Sequence, residues 1–480
     1  MLLDAPSCYR ALCTHDARFD GRFFVGVATT RIYCRPVCTV RTPHARNCRY
    51  FRSAAAAEVG GYRPCLRCRP ELAPGSASVD ALDRLAQAAV GLIEDGRLEE
   101  GGLEALAAAL RITSRHVRRV FATTFGVSPV AYAQTHRLLL AKRLLTDTAL
   151  PVTEVAFASG FGSVRRFNAL FNARYRMPPA RLRRNAANTA PGAPLRFELA
   201  YRPPYDWPAM LEFLAARAVP CMEAITAQDY FRTLRIAHNG AEHAGWIRVG
   251  NRAPRSTLVV ELSHSLARVV APVLSRVRHA FDTNCDPEAI AAALGALSRR
   301  HPGLRVPGAV DGFELAVRAI VGQQVSVRAA RTLMTRLVRA LGEPLAASLV
   351  LPEGSLDRMF PAAQRVADVD VGVLTGLGLT GARARAVMAL SRAVACKAVR
   401  LDPRADVADT TAALLALPGI GPWTVELIAM RALGWPDAFP ASDGVILRAM
   451  NETSPARAAA RSAQWQPWRS YAVMHLWRKT

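Results

Sequence analysis

The spacing of apolar residues changes character along the chain. From residue 80 to 186 they recur at three and four, as in Leu103, Leu106, Ala107 and Leu110, which predicts helices with little strand. Within that stretch "LEALAAAL" reads as a helix, "RITS" as a turn, and "RHVRRVFATTFG" as a second helix ended by Gly126. Ser114 is the expected cap of the second helix, and Val117, Val120, Phe121 and Phe125 form its inward stripe. The same order returns in "PVTEVAFASGFGS" followed by "VRRFNALFNARYRMPPARLRR", with Ser163 as cap and Val164, Phe167, Leu170 and Phe171 inward. Beyond a polar spacer, "NAANTAPGAP" (185–194), the segments "LRFELAYR" and "STLVVELS" alternate or run apolar like strands, so 195–285 is expected to be α+β. From Pro287 the helical period resumes, broken by turns at Gly376–Gly378 and Pro418–Gly421.

Four domains are therefore expected: 1–75, closed by the linker residues Pro70, Pro74, Gly75 and Ser76, then 80–186, 195–285 and 286–480. A length of 480 residues agrees, at about 100–200 residues per domain. The fold class is multidomain and mainly α with small α+β parts. Hydrophobic content of 51% excludes disorder as the dominant state. Asp4 and Arg10 interrupt the N-terminus, and no apolar run approaches the ~18 residues of a membrane span, so the chain is expected to be cytoplasmic.

Charge narrows the function. Lys+Arg 62 against Asp+Glu 38 gives +24, with lysine only at 142, 397 and 479. Arginine binds phosphate bidentately and stacks on bases, so double-stranded DNA is the first partner to expect. Residues 111–184 hold 14 basic and 2 acidic residues, hence +12 on the paired helix-turn-helix segment. Arg115, Arg118 and Arg119 in the first unit, and Arg165, Arg166 and Asn168 in the second, are the expected DNA-contacting residues. His116 and His136 have no evident partner in the sequence.

Cysteine usage points to metal. Seven of the ten cysteines fall in the first 68 residues. Cys34 and Cys38 are spaced C-x3-C, and Cys65 and Cys68 C-x2-C, which suits one tetrahedral Zn2+ held by four thiolates. Arg31, Arg35, Arg41, Arg46, Arg49, Arg52, Arg63, Arg67 and Arg69 crowd the site and could hold a DNA phosphate beside it. Cys8, Cys13 and Cys48 read as ordinary thiols.

The block "FDGRFFVGVATTRIYCRPVCTVRTPHARNCRYF…GYRPCLRCRPE" resembles the methylphosphotriester-repair domain of Ada-type adaptive-response proteins. That resemblance implies that Cys34 accepts a methyl group from the DNA backbone in a single turnover. Methylation would remove a negative charge beside DNA and raise affinity for phosphate. Arg31 stands where the family has glycine. The second helix-turn-helix resembles the AraC-type signature, which implies a promoter operator and RNA polymerase as partners. No "PCHR" motif of the O6-methylguanine methyltransferase is present.

The C-terminal half carries a second chemistry. "LLALPGIGPWTVELIAMRALG" places Gly419 and Gly421 between two apolar helices, a helix-hairpin-helix that can offer backbone N–H groups to a phosphate. Asp443 follows in "AFPASDGVILRAM"; alone it would read as a helix cap, and behind a hairpin it reads as a stabiliser of the sugar cation formed when a base leaves. Residues 195–480 are similar to the AlkA family of 3-methyladenine DNA glycosylases through "YRPPYDWPAMLEFLAARAV", "GLRVPGAVDGFELAVRAIVGQQVSV", "LPGIGPWT" and "QWQPWRSYAVMHLW". The resemblance implies Asp443 as the catalytic carboxylate and Trp423 and Trp477 as walls of a base pocket. Gln324 occupies the family's apolar wedge position and Leu427 replaces a pocket aromatic. Trp423 stands where bifunctional relatives keep lysine, so no Schiff base is expected. Asp311, Glu314 and His475 read as structural groups, and Trp465 and Trp468 as core. The rival reading is a transcription regulator whose C-terminal half only holds DNA.

Overall fold

A computed structural model describes residues 4–75, 81–94, 97–183, 193–238, 240–346 and 356–479. Ser76 and most of the 185–194 spacer lie outside them. The chain divides into two compact units, one of residues 1–203, 252–274 and 283–286, the other of 204–251, 275–282 and 287–480. Among the described residues no helix is long and apolar enough to cross a membrane.

The first unit begins with helix α1 (Ala5–Cys13), capped by Asp4, whose carboxylate accepts from the Ser7 N–H at 2.8 Å. A small sheet follows in the order β3-β1-β2-β4, made of β1 (Phe24–Val27), β2 (Ile32–Cys34), β3 (Cys48–Phe51) and β4 (Arg63–Pro64). β1 and β2 are the interior strands, and Gly26 on β1 leaves room for two rings: a Cβ there would fall 2.7 Å from the Phe51 ring and 2.9 Å from that of Tyr62. Helix α2 (Ala54–Val59), capped by Ser53, packs on this sheet.

The helices are α3 (Ala81–Glu94), α4 (Arg97–Ala109, interrupted at Gly101–Gly102), α5 (Ser114–Phe125), α6 (Pro129–Asp147), α7 (Val152–Ala158) and α8 (Val164–Tyr175). The expected inward residues Val117, Val120, Phe121 and Phe125 of α5 are buried with Leu106 and Ala107. The cap of α5 is Thr113, not Ser114: the Thr113 hydroxyl accepts from His116 N–H at 3.2 Å, and Ser114 is already helical. Ser163 caps α8 as expected, through Arg166 N–H at 3.4 Å. On α8 the buried stripe is Phe167, Phe171 and Tyr175, while Val164 and Leu170 are half-buried. Phe161, Phe167, Phe171 and Tyr175 form a ladder with ring centroids 5.1, 5.4 and 4.6 Å apart. A strand at Leu195–Ala200 pairs antiparallel with Thr257–Leu262.

The second unit holds three antiparallel strands, Glu223–Ile225, Asp229–His238 and Ala241–Arg252, and a large helical body. Phe313, Ile320, Val387, Leu390, Ile420, Val425 and Ile428 share its main core. Glu314 is a structural ion-pair member, bonded to Arg232 at 2.7 Å and to Arg318 at 2.8 Å. Glu223 joins them; burial alone would raise its carboxyl, but Arg318 and Arg232 hold it down at about 2. Asp311 caps the helix Gly312–Val321. Trp468 is buried, whereas Trp465 is only half-buried.

Candidate functional site

The four predicted cysteine ligands come together in the first unit. Cys34 ends β2, Cys38 follows one turn later, and the Cys65 N–H donates to Tyr33 O at 3.0 Å, which draws the second pair against the first. Their sulfurs lie within 4.8 Å of one another. Zn–S bonds of about 2.3 Å in a tetrahedron require sulfurs about 3.8 Å apart, so the cluster fits that ion. Hydrogen bonding from Cys38, then Cys65 and Cys68, with burial, pushes the Cys34 thiol well above the ordinary thiol value. Four sulfurs this close cannot all be thiolates unless a cation replaces the protons.

Arg35 is not an outward phosphate ligand. It is buried, its Nε donates to Asp20 at 2.8 Å, its Nη1 to Cys68 O at 3.1 Å, and its backbone N–H lies 3.4 Å from Cys68 Sγ. It supports the second cysteine pair from behind. Arg69 is likewise committed, to Asp147 at 2.6 Å and Glu71 at 3.1 Å. Arg31 adopts φ 55° in the turn between β1 and β2, the conformation in which glycine is favoured. Its guanidinium lies 4.7 Å from the Tyr62 ring centre and donates to Gly60 O at 3.3 Å.

Sequence reading missed Glu58. This α2 carboxylate is buried between the cysteine module and the DNA-binding helices. It accepts from Tyr33 Oη at 3.2 Å, Thr135 Oγ1 at 3.1 Å and Tyr175 Oη at 3.4 Å. Burial pushes its carboxyl up to about 7 despite those donors. The one visible signal was an acidic residue inside an alanine run.

On the two recognition helices Arg115, Arg118, Arg119, Arg165 and Arg166 are exposed and Asn168 is half-buried. Thr113 and Ser163 start helices of equal length, 12 residues each. His136, expected to lack a partner, lies 3.1 Å from Glu94.

In the second unit the hairpin joins Val407–Leu415 to Pro422–Arg431. Gly419 turns the chain at φ 79°, where a Cβ would press to 2.9 Å from that of Ala386. A Cβ on Gly421 would meet nothing within 4 Å, so the start of the second helix is open to an incoming group. Gln323, also missed, pins the turn by donating to Gly419 O at 3.0 Å and Thr424 Oγ1 at 2.9 Å. Its neighbour Gln324 is exposed at φ 51°.

Asp443 caps the helix Gly444–Ala449, with Oδ1 accepting from Val445 N–H at 2.9 Å and Ile446 N–H at 3.1 Å. Capping uses only one oxygen. The other, Oδ2, accepts from Trp423 Nε1 at 2.9 Å. Trp477 is half-buried on the helix Arg469–Lys479, which Arg469 anchors to Asp437 at 2.7 and 2.8 Å. Its ring stacks on Phe213, centroids 6.2 Å apart, and Arg217 lies 3.8 Å from the Phe213 ring centre. His475 is buried, and burial pushes its imidazole down to about 4, so it is a neutral core group.

Comparison with known proteins accounts for both units. Four family models match: the metal binding domain of Ada over residues 7–71, a helix-turn-helix domain over 106–185, the AlkA N-terminal domain over 196–311, and the HhH-GPD superfamily base excision DNA repair protein over 317–466. A probable bifunctional transcriptional activator/DNA repair enzyme AlkA of Mycobacterium tuberculosis is 41% identical over 99% of this chain and 96% of its own length. The chain belongs to this AlkA-type bifunctional activator/repair family. DNA-3-methyladenine glycosylase 2 of Escherichia coli is 37% identical over 58% of this chain and 96% of its own. The bifunctional activator/repair enzyme AdaA of Bacillus subtilis is 30% identical over 36% of this chain and 81% of its own. An AlkA-type chain with a base-excision module is more than a regulator, so the rival reading is set aside.

Proposed function

We propose that this AlkA-type protein joins two repair chemistries to operator binding through four modules: 1–75, 80–186, 195–285 and 286–480. The glycosylase is monofunctional and releases alkylated bases such as 3-methyladenine from duplex DNA. The N-glycosidic bond breaks, the cationic base leaves neutral with the bonding electron pair, and water adds at the sugar C1′ and gives up its proton to solvent. Asp443 stabilises the positive charge that develops on the sugar. Trp423 and Trp477 stack on the extruded base, whose cationic charge suits aromatic faces. Gln324 fills the emptied stack, and Gly419 and Gly421 present backbone to phosphate. Trp423 in place of an amine nucleophile leaves no route to strand cleavage.

In the N-terminal module Cys34 takes the methyl group of a phosphotriester. The sulfur attacks the methyl carbon, the carbon–oxygen bond breaks, and the phosphodiester leaves as an anion. One zinc ion, held by Cys34, Cys38, Cys65 and Cys68, would keep the thiolate deprotonated. Arg115, Arg118, Arg119, Arg165, Arg166 and Asn168 read a promoter operator. RNA polymerase is the partner an activator needs, and the cytoplasm is its place of action.

The Trp423–Asp443 hydrogen bond is the observation that carries the excision reading, because it ties the hairpin to the carboxylate. Asp443→Asn tests it: base release should be lost while duplex binding remains. Unchanged release would refute the assignment.

A further inference from the structure

An open cleft of about 610 Å³ lies in the first unit where the cysteine module meets the second helix-turn-helix. Arg63 and Leu66 contribute from one side and Tyr175, Arg176, Met177, Arg181 and Leu182 from the other, with Arg69, Lys142, Thr146 and Asp147 also lining it. Its charge is unbalanced. Lys142 is buried with both Glu71 oxygens at 2.6 Å, and Arg69 takes Asp147 at 2.6 Å, so these cations are matched. Arg63, Arg176 and Arg181 have no side-chain hydrogen bond or ion pair among the described residues. Five cations line the cleft against Asp147 and the adjoining Glu71, leaving +3.

The repeat provides an internal comparison. α5 and α8 have equal length, and each ends on a left-handed residue: Gly126 at φ 73° in the first, Arg176 at φ 55° in the second. A side chain in that conformation costs about 1–2 kcal/mol that glycine avoids. The first repeat takes the unstrained choice. The second puts a cation there, at the rim of the cleft. Leu66, Met177, Leu182 and the Tyr175 ring add an apolar surface beside the charges.

We propose that this cleft binds a nucleoside phosphate, its phosphate held by Arg63, Arg176 and Arg181 and its less polar part against Leu66, Met177 and Leu182. The phosphate is either that of a free mononucleotide or a backbone phosphate of bound duplex. A volume of about 610 Å³ is within the roughly 300–1,000 Å³ of small-molecule sites. An occupant would bridge the cysteine module and the second recognition helix. Nothing here depends on Cys34 chemistry or on base excision.

The test uses the zinc-loaded full chain and the exposed pair Arg176→Gln/Arg181→Gln. Calorimetric titration with AMP, with adenosine as the uncharged control, reads the free-nucleotide source. The salt dependence of duplex affinity reads the other. AMP binding, absent for adenosine and weakened at least tenfold in the variant, assigns the cleft to a free nucleotide. No AMP binding, with the salt slope of duplex affinity reduced by about two in the variant, assigns it to a backbone phosphate. AMP binding that survives in the variant, AMP binding matched by adenosine, or no AMP binding with an unchanged salt slope, overturns the proposal. An unchanged unfolding midpoint of the variant checks that the fold is intact.

Discussion

Trp423 donates its indole N–H to Oδ2 of Asp443 at 2.9 Å, while Oδ1 of the same carboxylate caps the following helix. The hairpin that is to grip the backbone and the group that is to face the sugar are thus positioned by one side-chain pair. Asp443→Asn keeps an oxygen for the helix cap and removes the charge. Base release should fall about 10²–10³-fold, as for loss of a preorganised stabilising group. Trp423→Phe keeps a ring and deletes the donor. A smaller loss of about tenfold is expected, equivalent to about 1.4 kcal/mol. Single-turnover release of free base checks both, and an unchanged rate in Trp423→Phe would mean that the indole N–H is not an orienting group.

Glu58 makes the stability of the first unit depend on pH. Its folded carboxyl value, about 7, exceeds the ordinary 4.5. The contribution is therefore full below about pH 4.5 and is lost as pH rises through 7. At about 1.4 kcal/mol per pH unit, the loss totals about 3 kcal/mol. Urea unfolding at pH 5 and pH 8 should show a decline in the wild type that Glu58→Gln largely removes. Parallel behaviour of the two proteins would contradict this.

Arg31→Gly relieves a left-handed side chain worth about 1–2 kcal/mol and loses a cation–π contact worth about 0.5–1 kcal/mol. The terms oppose each other. The net change in stability should lie between about zero and 1.5 kcal/mol, and uptake of methyl label should be unaltered. A several-fold gain in methyl uptake would show that Arg31 impedes the site.

The two recognition helices should protect operator segments about 34 Å apart. In footprinting, Arg115→Ala/Arg118→Ala should weaken one segment and Arg165→Ala/Arg166→Ala the other. Equal loss of both segments in either variant would mean that the helices do not read separate sites.

Local spacing made much of this visible. The two cysteine pairs are close in sequence, and the inward stripe of α5 follows directly from residues three and four apart. The α5 cap was displaced by one position because Thr113 and Ser114 are both able to cap, and only the turn decides between them. Glu58 was hidden because its burial arises from Thr135 and Tyr175, 77 and 117 residues away. Arg35 was misread because Asp20 neutralises it from another element. Gln323 was passed over for Gln324, since its partners Gly419 and Thr424 lie about a hundred residues on.

The central claim is that one chain carries two repair chemistries. Its most direct test is to incubate the zinc-loaded protein with duplex DNA bearing isotopically labelled methyl groups, then measure label on the Cys34 peptide by mass spectrometry and label in released free base. The account predicts label in both pools, with Asp443→Asn emptying only the second. Label confined to one pool, or found in neither, would contradict it.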